Sequence, residues 1–87
     1  MHSKKPDCYF NLGNAYLLKE EYKKAMKSFK KCIELDATNS TAIYNLGNTY
    51  FISGDKDKAI TYFEKAVSME PDNCEWRNYL GGLYLDQ

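Results

Sequence analysis

Histidine is nearly missing: the single one, His2, stands in a polar N-terminal stretch. There is no Cys/His cluster, no phosphate-cradling Gly-x4-Gly-Lys-Ser/Thr run and no Gly-x-Ser-x-Gly turn. Most enzyme mechanisms need a base, a metal or a phosphate cradle. Lacking all three, the chain reads as a non-enzyme with no cofactor and no metal. An excess of charge is missing too, because 12 Lys and Arg balance 12 Asp and Glu. A small nucleic-acid binder carries a basic excess, so that class is set aside. No apolar run nears the roughly 18 residues that a membrane span needs. Met1-His2-Ser3-Lys4-Lys5 has no signal-type apolar core and reads as a disordered tail over 1–5. The three cysteines, Cys8, Cys32 and Cys74, cannot all pair within one chain and lack metal-type spacing. That usage points to a reducing, intracellular compartment, with the cytoplasm as the leading expectation.

What remains is a globular mix, 44% hydrophobic and 28% charged, in 87 residues. This is one small domain or a piece of one. Its organising feature is a repeat. Leu12-Gly13 returns as Leu46-Gly47 and as Leu80-Gly81, with both steps 34 residues long. Tyr16, Tyr50 and Tyr84 follow at the same offset, and Ala25 and Phe29 return as Ala59 and Phe63. Asn-Leu-Gly-Asn at 11–14 is repeated unchanged at 45–48. Pro71 closes the second unit, whereas Ala37 stands at that place in the first.

These residues resemble the tetratricopeptide repeat family, whose pattern is a large residue, Leu-Gly, Tyr, Ala, Phe and a closing Pro. The resemblance covers about 6–87 and implies unit 1 at 6–39, unit 2 at 40–73 and a partial unit 3 at 74–87. The partial unit would consist of a first helix acting as a cap. The fold implied is an all-α helix-turn-helix solenoid of about five helices and two and a half repeats.

Residue patterns agree with that architecture. Apolar residues recur at helical spacing over 7–19, 22–35, 40–52, 56–69 and 74–85. Pro6 suits a first helical position, where its missing N–H is no loss. Asn39-Ser40 offers an N-cap, Gly54 a C-terminal stop and Pro71-Asp72-Asn73 a turn. Gly13 with Ala25, and Gly47 with Ala59, are expected to let paired helices approach closely. Tyr16 with Phe29, and Tyr50 with Phe63, are expected to fill the space between layers. Cys32 stands where unit 2 has Ala66 and reads as a small buried hydrophobe. Lysines crowd the second helix and read as a solvated face. Residues 1–39 carry a net +3, with eight Lys against five acids, and residues 40–87 a net −3.

The resemblance also implies a site. First helices of successive units line a concave groove that takes extended peptides. Carried onto this chain, its lining is Phe10, Asn11, Asn14 and Leu17, then Tyr44, Asn45, Asn48 and Phe51, then Asn78, Tyr79 and Gly82. Asn11 and Asn45, one repeat apart, resemble an asparagine ladder that holds peptide backbone. An Asn amide both donates and accepts, which suits a peptide unit from either side. The bland alternative, a merely solvated polar face, stays open. Some family members grip chaperone C-terminal tails with a carboxylate clamp. Asn14 and Asn45 match that clamp, but Phe10, Glu75 and Tyr79 stand where its Lys and Arg belong. The clamp is incomplete, which argues against chaperone tails as ligands.

The last helix carries Trp76, Tyr79, Leu80, Leu83, Tyr84 and Leu85. Some must cover the helix before it, and the rest would face outward where a sixth helix belongs. Trp76, Leu83 and Leu85 are therefore the candidate self-association residues. The stop mid-repeat reads either as a cut from a longer array or as an end covered by a second copy. The leading expectation is a protein-interaction module, a scaffold or adaptor that holds an extended peptide in the groove. The alternative is a structural segment of a longer array that self-associates through its open C-terminal helix. Partners in either case are proteins or peptides, with a homo-oligomer as one outcome.

Overall fold

A computed structural model describes residues 6–85 of the chain. The tail expected over 1–5 lies outside them. Five helices follow one another: α1 (Pro6–Leu18), α2 (Tyr22–Leu35), α3 (Ser40–Ser53), α4 (Lys56–Met69) and α5 (Cys74–Leu85). Each packs chiefly on its neighbours in the chain, and the molecule is elongated, 45 × 27 × 16 Å. The fold is an all-α helical repeat.

Local chemistry sets the boundaries. The Asn39 side chain accepts from the Ala42 amide at 3.0 Å and starts α3. Asp55 does the same for α4 through Lys58 at 3.2 Å, and Asn73 for α5 through Trp76 at 3.1 Å. Each cap satisfies an amide that the helix itself leaves unpaired. Helix α3 ends at Gly54 with φ 104°, a left-handed turn that glycine adopts without steric cost. One repeat earlier the same bend falls on Glu20, with φ 61°, so a residue with a Cβ carries it there.

Burial follows position in the stack. Helix α2 buries Ala25, Ser28, Phe29 and Cys32 at the i, i+3, i+4, i+7 spacing of a single helical stripe. Its lysines 23, 24, 27, 30 and 31 are exposed. Helix α3 has α2 on one side and α4 on the other and buries seven residues, from Ser40 to Tyr50. Leu46 on α3 is 0% exposed, whereas Leu12, its equivalent on the outer helix α1, is 43% exposed. Lys30 from α2 and Lys58 from α4 each hold an ammonium 5.6 Å from the Tyr50 ring centroid, within cation–π range.

The repeat glycines lie under aromatic rings. An added Cβ at Gly13 would lie 2.7 Å from the Phe29 ring. At Gly47 the Phe63 ring is 3.1 Å from such a Cβ and the Ala59 carbonyl 3.2 Å. Tyr50 stacks on Tyr62, with centroids 5.5 Å apart, while also joining Phe63 in the core.

The open-end expectation needs correction. Trp76 and Leu83 do not face outward: they are 9% and 4% exposed. Trp76 stacks on Tyr44 at 4.7 Å and 7°, and clusters with Ile43 and Ala66. Leu83 joins the main core beside Leu80. A large apolar side chain gains most by covering the neighbouring helix, and here α3 and α4 are within reach. Of the three candidate self-association residues only Leu85 is exposed, at 89%.

Candidate binding face on α1, α3 and α5

The three odd-numbered helices share side-chain contacts across their own series. Asn45 Nδ2 on α3 donates to Asn14 Oδ1 on α1 at 3.1 Å. Tyr44 on α3 lies 6.1 Å from Tyr79 on α5, and Phe51 on α3 meets Tyr79 edge-on at 6.3 Å. One polar contact therefore joins α1 to α3, and aromatic contacts join α3 to α5.

Among the expected groove residues, Phe10, Asn14, Leu17, Tyr44, Asn45, Asn48, Phe51 and Tyr79 are half-buried. Asn11, Asn78 and Gly82 are exposed. The aromatic members have an inner and an outer side. Phe10 packs edge-on against Phe29, centroids 6.2 Å apart. Tyr44 and Tyr79 each lie 5.2 Å from Phe63. These rings form the rim of the core and keep part of their surface outside it. Such placement gives apolar contact surface at low entropic cost, since the rings are already held.

The amides are arranged differently from a simple ladder. Asn45 reaches Asn14 rather than its repeat equivalent Asn11. The bond uses one N–H of Asn45 and one lone pair of Asn14. An amide side chain has two N–H donors and a carbonyl with two lone pairs. Asn14 therefore retains both donors, and Asn45 retains its carbonyl and one N–H. Together they can present donors and an acceptor to a passing peptide unit from a pre-set geometry. The sequence carried no signal for this pairing beyond the presence of Asn at both places.

The phenols on this face stay neutral well into the alkaline range. Burial raises the pKa of Tyr44, and nearby Tyr79 and Glu75 add to the effect. Burial alone raises that of Tyr79. Both hydroxyls thus remain hydrogen-bond donors at neutral pH. The chemistry of the face is that of amides, phenols and apolar rings. Among the described residues no group of three His, Cys, Asp or Glu side chains could hold a metal ion. A separate pocket in the α4–α5 turn is lined by Met69, Glu70, Pro71, Asp72 and Asn73, none of them on this face.

The tetratricopeptide repeat model matches residues 6–39 and 40–73. A crystal structure of MamA superposes with a TM-score of 0.90 at 29% identity, over 95% of this chain and 48% of that one. A second MamA crystal structure gives 0.87 at 30% identity, over 93% and 44%. The chain thus spans about half the length of the MamA structures it resembles. No curated protein matches it. Among the described residues no helix is long and apolar enough to cross a membrane.

Proposed function

The chain belongs to the tetratricopeptide repeat family, whose repeats mediate protein–protein interaction and scaffolding, and from that premise we propose that its α1/α3/α5 face binds an extended peptide. The observation that carries this reading is the Asn45–Asn14 bond, which fixes two amides beside half-buried aromatic rings. Amides would hold the peptide backbone from both its donor and acceptor sides. Phe10, Leu17, Tyr44, Phe51 and Tyr79 would take apolar side chains, with Asn11, Asn48 and Asn78 at the margins. In this reading the units are 6–39, 40–73 and a partial one at 74–87, and the module is a non-catalytic adaptor in the cytoplasm. Exposed Glu75 and neutral Tyr79 supply none of the cations that an acidic chaperone tail needs.

A peptide-display selection tests the proposal, run on the chain and on Asn14→Ala/Asn45→Ala. Tyr44→Ala is unsuitable as the probe, because Tyr44 stacks on buried Trp76 and its loss would open the core. Peptides enriched on the chain and lost on the double variant support the reading. Peptides indifferent to those two changes contradict it.

A further inference from the structure

The tyrosines that recur every 34 residues, Tyr16, Tyr50 and Tyr84, differ in the charges around them. In the first unit Lys24 holds its ammonium 5.7 Å from the Tyr16 ring centroid, and Glu21 neutralises it at 3.0 Å. In the second unit Lys58 takes the same place, 5.6 Å from the Tyr50 centroid. Asp55 stands where the first unit has Glu21, but its carboxylate caps α4 through the Lys58 amide at 3.2 Å. Lys30 reaches the same ring from α2, also 5.6 Å from the centroid. At the Tyr84 junction the place of Lys30 belongs to Glu64, which accepts from the Tyr84 hydroxyl. Among the described residues, Tyr50 alone therefore gathers two ammonium groups, and it lies within the two complete units.

Neither ammonium is neutralised by the chain itself. Among the described residues no carboxylate lies within 4.0 Å of Lys30 or Lys58, and the ion pairs are Lys24–Glu21 and Lys31–Glu34. Two like charges brought to one ring from separate helices repel, and an anion between them reverses the sign of the interaction. A hydrogen bond to the Tyr50 phenol is the chief cause of the raised Lys30 pKa, and Tyr62 adds to it. The Tyr50 hydroxyl that accepts from Lys30 keeps its own proton to donate. Tyr62 stacks on Tyr50 with centroids 5.5 Å apart and brings a second phenol to the site. A phosphate monoester matches this set better than a carboxylate, because it carries about −1.5 to −2 charge and three strong acceptor oxygens.

The rest of α2 bears on what carries the phosphate. Lys23, Lys27 and Lys30 follow the i, i+4, i+7 spacing of one helical face, and all three are exposed. None of them has a carboxylate partner among the described residues. A free phosphate would use only the Tyr50 end of this stripe, whereas an acidic chain would use its length. We propose that the α2–α4 side of the stack binds a phosphoserine or phosphothreonine in an acidic segment of a partner protein, the phosphate between Lys30 and Lys58 and the acidic flank along Lys27 and Lys23. This surface is separate from the amide and aromatic face, and the two stand or fall independently.

The test titrates the isotope-labelled chain with the peptide Glu-Asp-Glu-phosphoSer-Glu-Asp-Glu. Two controls carry Ser, or Asp-Asp for equal charge, in place of the phosphoserine. Expected are saturable amide shifts within 23–31 and 56–62, with the phosphopeptide about tenfold tighter than either control. Lys30→Met or Lys58→Met should weaken phosphopeptide binding about threefold to tenfold. Methionine keeps an apolar stem beside Tyr50, so folding is retained. Lys30→Arg should preserve binding. Lys19→Met makes the same charge change in the α1–α2 turn and should leave the affinity unaltered. Equal affinity for the phosphopeptide and either control would overturn the proposal. So would an equal loss with Lys19→Met, shifts on α1 and α5 instead, or no binding. Inorganic phosphate that binds as tightly as the peptide would make free phosphate the ligand, and an RNA oligomer that does so would make it nucleic acid. Either result overturns the partner assigned here.

Discussion

Asn45 on α3 donates its side-chain amide to Asn14 on α1 across 3.1 Å, joining the first helices of two successive repeats directly. The helix between them in sequence, α2, packs on both but does not take part in this bond. A partly buried amide–amide bond contributes about 0.5–1.5 kcal/mol net. A double-mutant cycle of Asn14→Ala and Asn45→Ala should give a coupling of about 1 kcal/mol in chemical denaturation. A coupling indistinguishable from zero would mean that the bond does not organise the face.

The three repeat glycines should respond to alanine in a graded way. At Gly13 the Phe29 ring stands 2.7 Å from the new Cβ, so overpacking costs about 1–3 kcal/mol. Replacing helical Gly by Ala returns about 1 kcal/mol of helix propensity. At Gly47, with contacts at 3.1 Å, these opposing effects come near to balance. At Gly81 only the propensity gain remains, so stability rises by up to about 1 kcal/mol. Denaturation midpoints should rank Gly81→Ala above Gly47→Ala above Gly13→Ala.

Glu20 holds φ 61° at the place where the next repeat has Gly54. A side chain in the left-handed region costs about 1–2 kcal/mol. Glycine relieves that cost but widens the unfolded ensemble. Glu20→Gly should therefore raise the unfolding free energy by about 0.5–1 kcal/mol, read from denaturant curves with an unchanged slope. A loss of stability would show that Glu20 makes a compensating contribution.

Tyrosine titration gives a pH prediction. Folded Tyr44 and Tyr79 have pKa values above the ordinary value, chiefly through burial. Tyr84 is raised by its hydrogen bond to Glu64. A raised folded pKa means that the stabilisation is complete below the unfolded value of about 10. It is lost as pH rises through the folded value. Stability should thus hold to about pH 10 and fall beyond it. Ultraviolet absorbance should show a late-titrating phenolate fraction that Tyr44→Phe and Tyr79→Phe reduce. Titration of all tyrosines together at the ordinary value would contradict the packing described.

Much of the fold was legible in the sequence because the information was redundant. The 34-residue step, the caps at Asn39 and Gly54 and the Pro71 turn all place the same helices. Helix α5 is the exception. Taken alone, a last helix turns Trp76 and Leu83 outward, whereas both are buried. In the repeat register Trp76 stands at the place of Ala42 and Leu83 at that of Thr49, both fully buried in α3. That register was the available signal, masked because the residue types differ between units. The candidate face was legible as a set of residues but not as contacts. The Asn14–Asn45 pairing depends on how two helices are rotated against each other, and a shift of one residue would have brought other side chains together. Likewise the stack of Tyr44 on Trp76 joins residues of two units, and a repeat pattern alone does not specify contacts between units.

Amides on α1 and α3 that grip a peptide must change their environment when it binds. The most direct measurement follows the side-chain NH2 resonances of Asn14 and Asn45 in a proton–nitrogen spectrum, assigned by Asn→Ala variants, as a display-selected peptide is added. Both pairs should shift and saturate together with the Tyr44 and Tyr79 ring signals. Saturable binding that leaves these amide resonances in place would contradict that grip.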